Sequence, residues 1–388
     1  MALATVATLV VAGAASLFMA WSIGAGSSGS TPFAPAVGAN AISVMRAGLV
    51  VGVLGLLGAV LQGANVTEAV GTELIGGVTL TATAAIVALV VAAVLVAAGV
   101  FAGYPIATAF TVTGAVVGVG LAMGGDPAWP KYAEILTLWV STPFVGGGAA
   151  YLVARALTGT RLPERALTAA LAGVVGAILA NVGFALLGPA GEQASVAVVV
   201  AERAGVPSTV VTIAVAAVVA GAEYADVTRD RAGAQRRFLL SMGGLVAFSA
   251  GGSQVGLAIG PLVPIFGDVG VSLLALLVGG GVGLLAGSWT GAPRMIKALA
   301  QDYASMGPRR SIAALIPSFA IAQTAVAFGI PVSFNEIIVS AIVGAGYAAG
   351  DAGVSRTKMG YTVLAWIGSL VGALVLGFGV FSGVTRVI

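Results

Sequence analysis

The sequence predicts an all-α integral membrane protein with about 12 transmembrane segments, some of them broken or re-entrant, arranged as two inverted-topology repeats. Three observations lead there. Only 8% of the 388 residues are charged while 59% are hydrophobic, and the mean hydropathy is +1.08. A soluble domain carries about 25% charged residues, and no soluble fold of this length can cover itself with so few. Apolar runs of span length recur along the whole chain, which fits helices rather than barrel strands. The chain also resembles itself at a fixed offset of 226 residues.

The apolar runs fall at residues 4–21, 49–66, 78–101, 104–122, 133–154, 166–187, 206–223, 238–260, 270–290, 312–329, 332–349 and 360–382. The first lacks a basic flank and is followed by further spans, so it reads as a membrane helix rather than a leader. Basic residues then choose sides. Arg46 stands alone between the first two runs. Arg155, Arg161 and Arg165 share one loop, and Arg229, Arg231, Arg236 and Arg237 the central one. Arg294, Lys297, Arg309 and Arg310 share a fourth, and Arg356 and Lys358 a fifth. Placing all five inside gives consistent span counts, with both termini outside the cell membrane. The net charge of +3 resides in these loops and implies no nucleic-acid partner. With no Cys and no His, the chain has no thiol chemistry and no imidazole proton shuttle, and no catalytic pair can be assembled. It reads as a non-enzyme without cofactors.

Three stretches carry the self-similarity. Ala25-Gly26-Ser27-Ser28 aligns with Gly251-Gly252-Ser253-Gln254, and Phe33–Val37 with Ile259–Val263. YPIATAFTVTGAVVGVGLA (104–122) aligns with IPVSFNEIIVSAIVGAGYA (330–348). Corresponding loops differ in charge and so sit on opposite sides, which makes the repeat an inverted one. Residues 1–157 form the first repeat and 238–388 the second, with 158–237 holding two linking spans and the central loop.

Each half contains a Gly/Ser/Pro stretch (22–43 and 249–264) and a proline-led stretch at Pro105 or Pro331. Both are predicted to break helices at bilayer depth, where irregular backbone survives only if it lines a cavity or is buried in protein. Half-helix N-termini present free N–H groups and positive dipole ends, which hold anions. Gly26, Ser27, Ser28, Ser30, Thr108, Gly252, Ser253, Gln254, Ser333 and Asn335 are therefore the expected anion-binding residues. Gly and Ser also let membrane helices approach closely, which is the packing alternative for each of them. Glu336, an acid inside an apolar run, is the expected proton-coupling residue. Its counterpart in the first half is Phe110.

At these residues the chain resembles the inorganic phosphate transporter (Pit-type) family, over nearly its whole length. The family frame is visible in IGAGSSGS, AIGPL (258–262) and the two proline-led stretches. That family repeats a Gly-Ala-Asn-Asp signature and a Pro-(Val/Ile)-Ser-Thr-Thr-His signature once per half. Here the Asn-Asp positions hold Gly26-Ser27 and Ser253-Gln254. The Ser-Thr-Thr-His run becomes Ala107–Phe110 and Ser333–Glu336. These departures resemble the family's sulfate permease branch. A cradle of donors without a paired carboxylate also suits sulfate, which carries no proton at neutral pH. The expectation is thus a secondary active transporter that imports sulfate by alternating access, coupled to protons or sodium. The alternatives are inorganic phosphate or another tetrahedral oxyanion by the same mechanism, and an anion channel. The resemblance further implies a homodimer.

Overall fold

The computed structural model describes residues 3–159, 163–189, 192–348, 350 and 354–387. Arg161 of the second basic loop lies outside the described residues. Seventeen α-helices are described, in chain order α1 (Leu3–Gly26), α2 (Ala34–Gly38), α3 (Val44–Gln62), α4 (Ala64–Thr72), α5 (Ala82–Ala102), α6 (Thr108–Ala122), α7 (Trp129–Thr158), α8 (Glu164–Asn181), α9 (Val196–Ala204), α10 (Ser208–Arg229), α11 (Arg231–Ile259), α12 (Val263–Gly267), α13 (Leu273–Thr290), α14 (Ala292–Gln301), α15 (Pro308–Ala327), α16 (Phe334–Tyr347) and α17 (Arg356–Val387). Two short antiparallel pairs, Ile75–Gly76 with Asp126–Pro127 and Gly183–Phe184 with Ala194–Ser195, tie loops together. Ten of the described helices are long and apolar enough to cross a bilayer. The protein is an all-α membrane protein.

All 12 apolar runs fold into helices, but two of them are half-helices. α6 and α16 have 15 and 14 residues, and each follows an extended stretch, 104–107 or 330–333. The proline-led segments therefore enter the protein as extended chain and leave it as helix. The Gly/Ser/Pro segments differ from each other. The first breaks as expected, with α1 ending at Gly26 and turns running to Phe33. The second does not break at Gly251-Gly252-Ser253-Gln254, which lies within the continuous α11. Its interruption comes later, as a 3-10 turn over Gly260–Leu262 led by Pro261. Only proline removes a donor and clashes with the preceding turn, whereas glycine in a membrane helix is tolerated where a neighbour packs on it.

Packing is reciprocal. α1 lies on α13 as α11 lies on α3, and α6 lies on α17 as α16 lies on α7. In lipid no hydrophobic force drives helices together, so close backbone approach has to supply the attraction. Glycines permit it. A Cβ on Gly24 would overlap the Leu284 carbonyl, and one on Gly251 the Gly55 carbonyl. α8, α9 and α10 pack together beside this body and form their own small core around Ala180, Ala197, Ala201 and Val211. The outer faces of α7, α10 and α17 expose Phe144, Ile213, Val218 and Leu364, each 65–76% accessible, as lipid-facing surfaces do.

At the basic end, Glu164 at the start of α8 accepts from Arg231 and Gln235 of α11 and, at 2.5 Å, from Arg309 of α15. A cavity of about 590 Å³ lies there, lined by Arg231, Gln235, Arg309 and Arg310. A second cavity, of about 1070 Å³, reaches Ala320, Gln323 and Phe328 and so lies toward the other end of α15.

Candidate functional site

The extended stretches 104–107 and 330–333 put bare carbonyls inside the protein, and each such group must find a donor. The Pro105 carbonyl accepts from Trp366 Nε1 at 2.8 Å and that of Pro331 from Trp139 Nε1 at 2.9 Å. The Ile106 carbonyl accepts from Asn335 Nδ2 at 2.6 Å and that of Val332 from Gln254 Nε2 at 2.6 Å. The pattern is the same in both halves: an indole on the proline carbonyl, then an amide on the next. Asn335 Nδ2 also donates to the Gly26 carbonyl at 2.9 Å, closing the C-terminus of α1.

These bonds draw four chain segments to one point. Thr108 Oγ1, on the first residue of α6, donates to Gln254 Oε1 at 2.7 Å, and Ser27 Oγ does so at 3.2 Å. Thr108 Oγ1 lies 3.4 Å from Ser27 Oγ. Ser27, Thr108, Gln254, Ser333 and Asn335 are all fully buried, and Glu336 is 2% exposed. The Ser333 hydroxyl caps α16 weakly, 3.5 Å from the Glu336 amide. α6 has no side-chain cap at all. Its first-turn N–H groups are therefore buried without a capping partner, where the helix dipole is positive.

Four further polar atoms here have no hydrogen-bond partner: Ser28 Oγ, Ser253 Oγ, Asn335 Oδ1 and Glu336 Oε2. Each sits within one residue of, or in the same first turn as, a member of the Ser27–Thr108–Gln254–Asn335 cluster. Buried polar groups are normally paired, and an orphan costs about 1–3 kcal/mol. All four can accept, and the two hydroxyls can also donate. The set matches a ligand that both accepts and donates hydrogen bonds.

Other expected site residues fall differently. Ser30 donates to the Ser27 carbonyl at 3.1 Å, inside its own turn. A Cβ on Gly26 would meet Val100, and one on Gly252 would meet Gln62, so both glycines serve helix contact. Phe110 stacks on Trp139 with centroids 3.8 Å apart, which fills with an aromatic pair the place that Glu336 takes in the other half. Sequence reasoning missed Trp139 and Trp366. Their signal was present, because they recur at nearly the offset that relates the two proline stretches.

The amide donors of Gln254 and Asn335 are thus engaged by backbone carbonyls; Gln254 Oε1 accepts from Thr108 and Ser27, and Asn335 Oδ1 is left open. A carboxylate completes the group. Known proteins resemble this chain over most of its length. An inorganic phosphate transporter of Arabidopsis thaliana, chloroplastic by name, is 24% identical over 398 residues, covering 90% of this chain and 68% of its own. A candidate phosphate permease of Pyrococcus furiosus is 25% identical over 380 residues, covering 90% of this chain and 89% of its own. A solved structure, named as the sodium-dependent phosphate transporter, superposes with a TM-score of 0.83 at 22% identity, over 98% of this chain and 100% of that one. The expectation of sulfate as cargo, and of kinship with the sulfate permease branch, is corrected by these matches. The model of the phosphate transporter family matches residues 23–377, and the chain belongs to that family.

Proposed function

We propose that the protein is a secondary transporter of inorganic phosphate, working by alternating access about the cluster of Ser27, Thr108, Gln254, Asn335 and Glu336. The observation that carries this reading is the uncapped, buried N-terminus of α6 beside orphaned hydroxyl, amide and carboxylate oxygens. Phosphate oxygens would accept from the N–H groups and from Ser28 and Ser253, and the phosphate proton would go to an orphaned oxygen. In this reading residues 1–157 and 238–388 are inverted repeats that rock about the site, 158–237 links them, and the arginine-rich end faces the cytoplasm with both termini outside. The cavities toward the two ends of α15 are then the two approaches. The homodimer belongs to the same reading on the resemblance alone.

A dianion moving through this site needs a compensating cation. Glu336 is the carboxylate that would take it, as a proton or as sodium. The structural neighbour is sodium-dependent by name, which favours sodium. The test is uptake of radiolabelled phosphate into proteoliposomes under imposed sodium or pH gradients. The expected outcome is gradient-driven accumulation that tenfold excess sulfate does not block, and that is lost with Glu336→Gln. Sulfate competing as well as unlabelled phosphate would overturn the substrate. A Glu336→Gln variant that still followed the gradient would remove the coupling role.

A further inference from the structure

Two amides that line the larger cavity also pack against α11, the helix that carries Gln254. Gln62, at the last residue of α3, and Gln323, in the last two turns of α15, both line the cavity of about 1070 Å³. They bond to each other reciprocally. Gln62 Nε2 donates to Gln323 Oε1 at 3.4 Å, and Gln323 Nε2 donates to Gln62 Oε1 at 3.2 Å. Gln62 also donates to the Gly183 carbonyl at 2.9 Å, and Gln323 to Ser249 Oγ at 2.7 Å. The pair is 1% and 8% exposed. On its far side lies α11. Ser249 is one turn before Ser253 on the same face of that helix, and a Cβ on Gly252 would touch Gln62.

We propose that the Gln62–Gln323 pair is the gate on this side of the membrane and the first hydrogen-bonding station that the anion meets inside it. The inference rests on the phosphate reading for its cargo, and on geometry alone for its place. The reciprocal bonds are long, so they part at little cost. Being neutral, the two amides set no charge barrier against an anion, as a carboxylate pair would. Being polar, they do not seal the path as two leucines would. Once parted, their NH₂ groups are donors within reach of an oxyanion, and Ser249 leads from them to Ser253. The clasp has no twin. At the repeat offset of 226 residues the matching positions are Ser288, which donates to its own Leu284 carbonyl, and the buried Ala97.

The chain has no cysteine, so Ser253→Cys supplies a single thiol behind the pair. Its modification by a membrane-impermeant methanethiosulfonate reagent, applied in turn to either face of oriented vesicles, reads access directly. With Gln62 and Gln323 both changed to Ala, labelling from the cavity's face should quicken about tenfold, the scale of losing two ordinary hydrogen bonds. With both changed to Leu, labelling should stay at or below the starting rate while phosphate uptake falls. Equal rates for the Ala and Leu pairs, or faster labelling from the opposite face, would overturn the gate. Labelling needs no phosphate. Failure of uptake in the unaltered protein would therefore remove the substrate reading and leave the access result standing.

Discussion

Thr108 shows how much of the site one hydroxyl holds. Its 2.7 Å bond to Gln254 Oε1 fixes the amide whose other end secures the Val332 carbonyl, so one side chain joins α6 to α11 and α11 to the chain before α16. Thr108→Val keeps the shape and removes the donor. It should raise the phosphate concentration for half-maximal uptake about tenfold, while Thr108→Ser stays near the unaltered value, since a buried acceptor losing its partner costs about 1–3 kcal/mol. Much of this was legible in the sequence. Ser27, Thr108, Gln254 and Asn335 stand out as polar residues in apolar runs, and they meet. What was not legible is which way each amide spends its hydrogens. That depends on carbonyls left bare by chain that is extended rather than helical, and hydropathy does not separate the two. Hence Asn335 and Gln254 read as donors to a ligand, and their donors serve the backbone.

Among elements, the informative feature is the contrast between α1 and α11. Both carry small residues at matching positions, yet one stops at Gly26 and the other continues to Ile259. In α11 the glycines face α3 at backbone contact, so the helix is supported there, and the break waits for Pro261. A sequence shows that glycine is present and not which neighbour covers it. Gly251→Leu should therefore act as an overpacking change. Its side chain would be driven into the Gly55 carbonyl, with a loss of about 1–3 kcal/mol and a melting transition in detergent several degrees lower. Gly279→Leu, where a Cβ meets nothing, should leave the transition unmoved. An equal drop in both would show that α11 and α3 are not held by close approach.

For the whole molecule, the 12 apolar runs gave the order of the helices, because hydrophobic length is a one-dimensional property. The interlocking of α1 with α13 and α11 with α3 was not accessible in the same way, since it depends on contacts between distant stretches. Glu164 is one of the junctions that join the α8–α10 unit to the main body. Glu164, 14% exposed in its side chain, meets Arg231 and Arg309 from two other helices. A partly buried carboxylate shared by two arginines is worth more than a surface pair, and breaking it leaves both cations unmatched. Glu164→Gln should lower the melting temperature and flatten its dependence on ionic strength, because the attraction removed is the one that salt screens. A variant that kept the full salt dependence would place that sensitivity elsewhere in the protein.

The two indole bonds cross between the ends of the chain. Trp139 holds the carbonyl of Pro331, and Trp366 that of Pro105. On the ribosome, residue 105 emerges long before residue 366, so the early extended stretch waits for α17 before its indole donor exists. A nascent chain halted after α16 would thus hold both halves of the pocket and still leave its first half unfastened. The Pro105 carbonyl is fastened only once α17 has been made, and a truncation before α17 damages a part of the protein made much earlier.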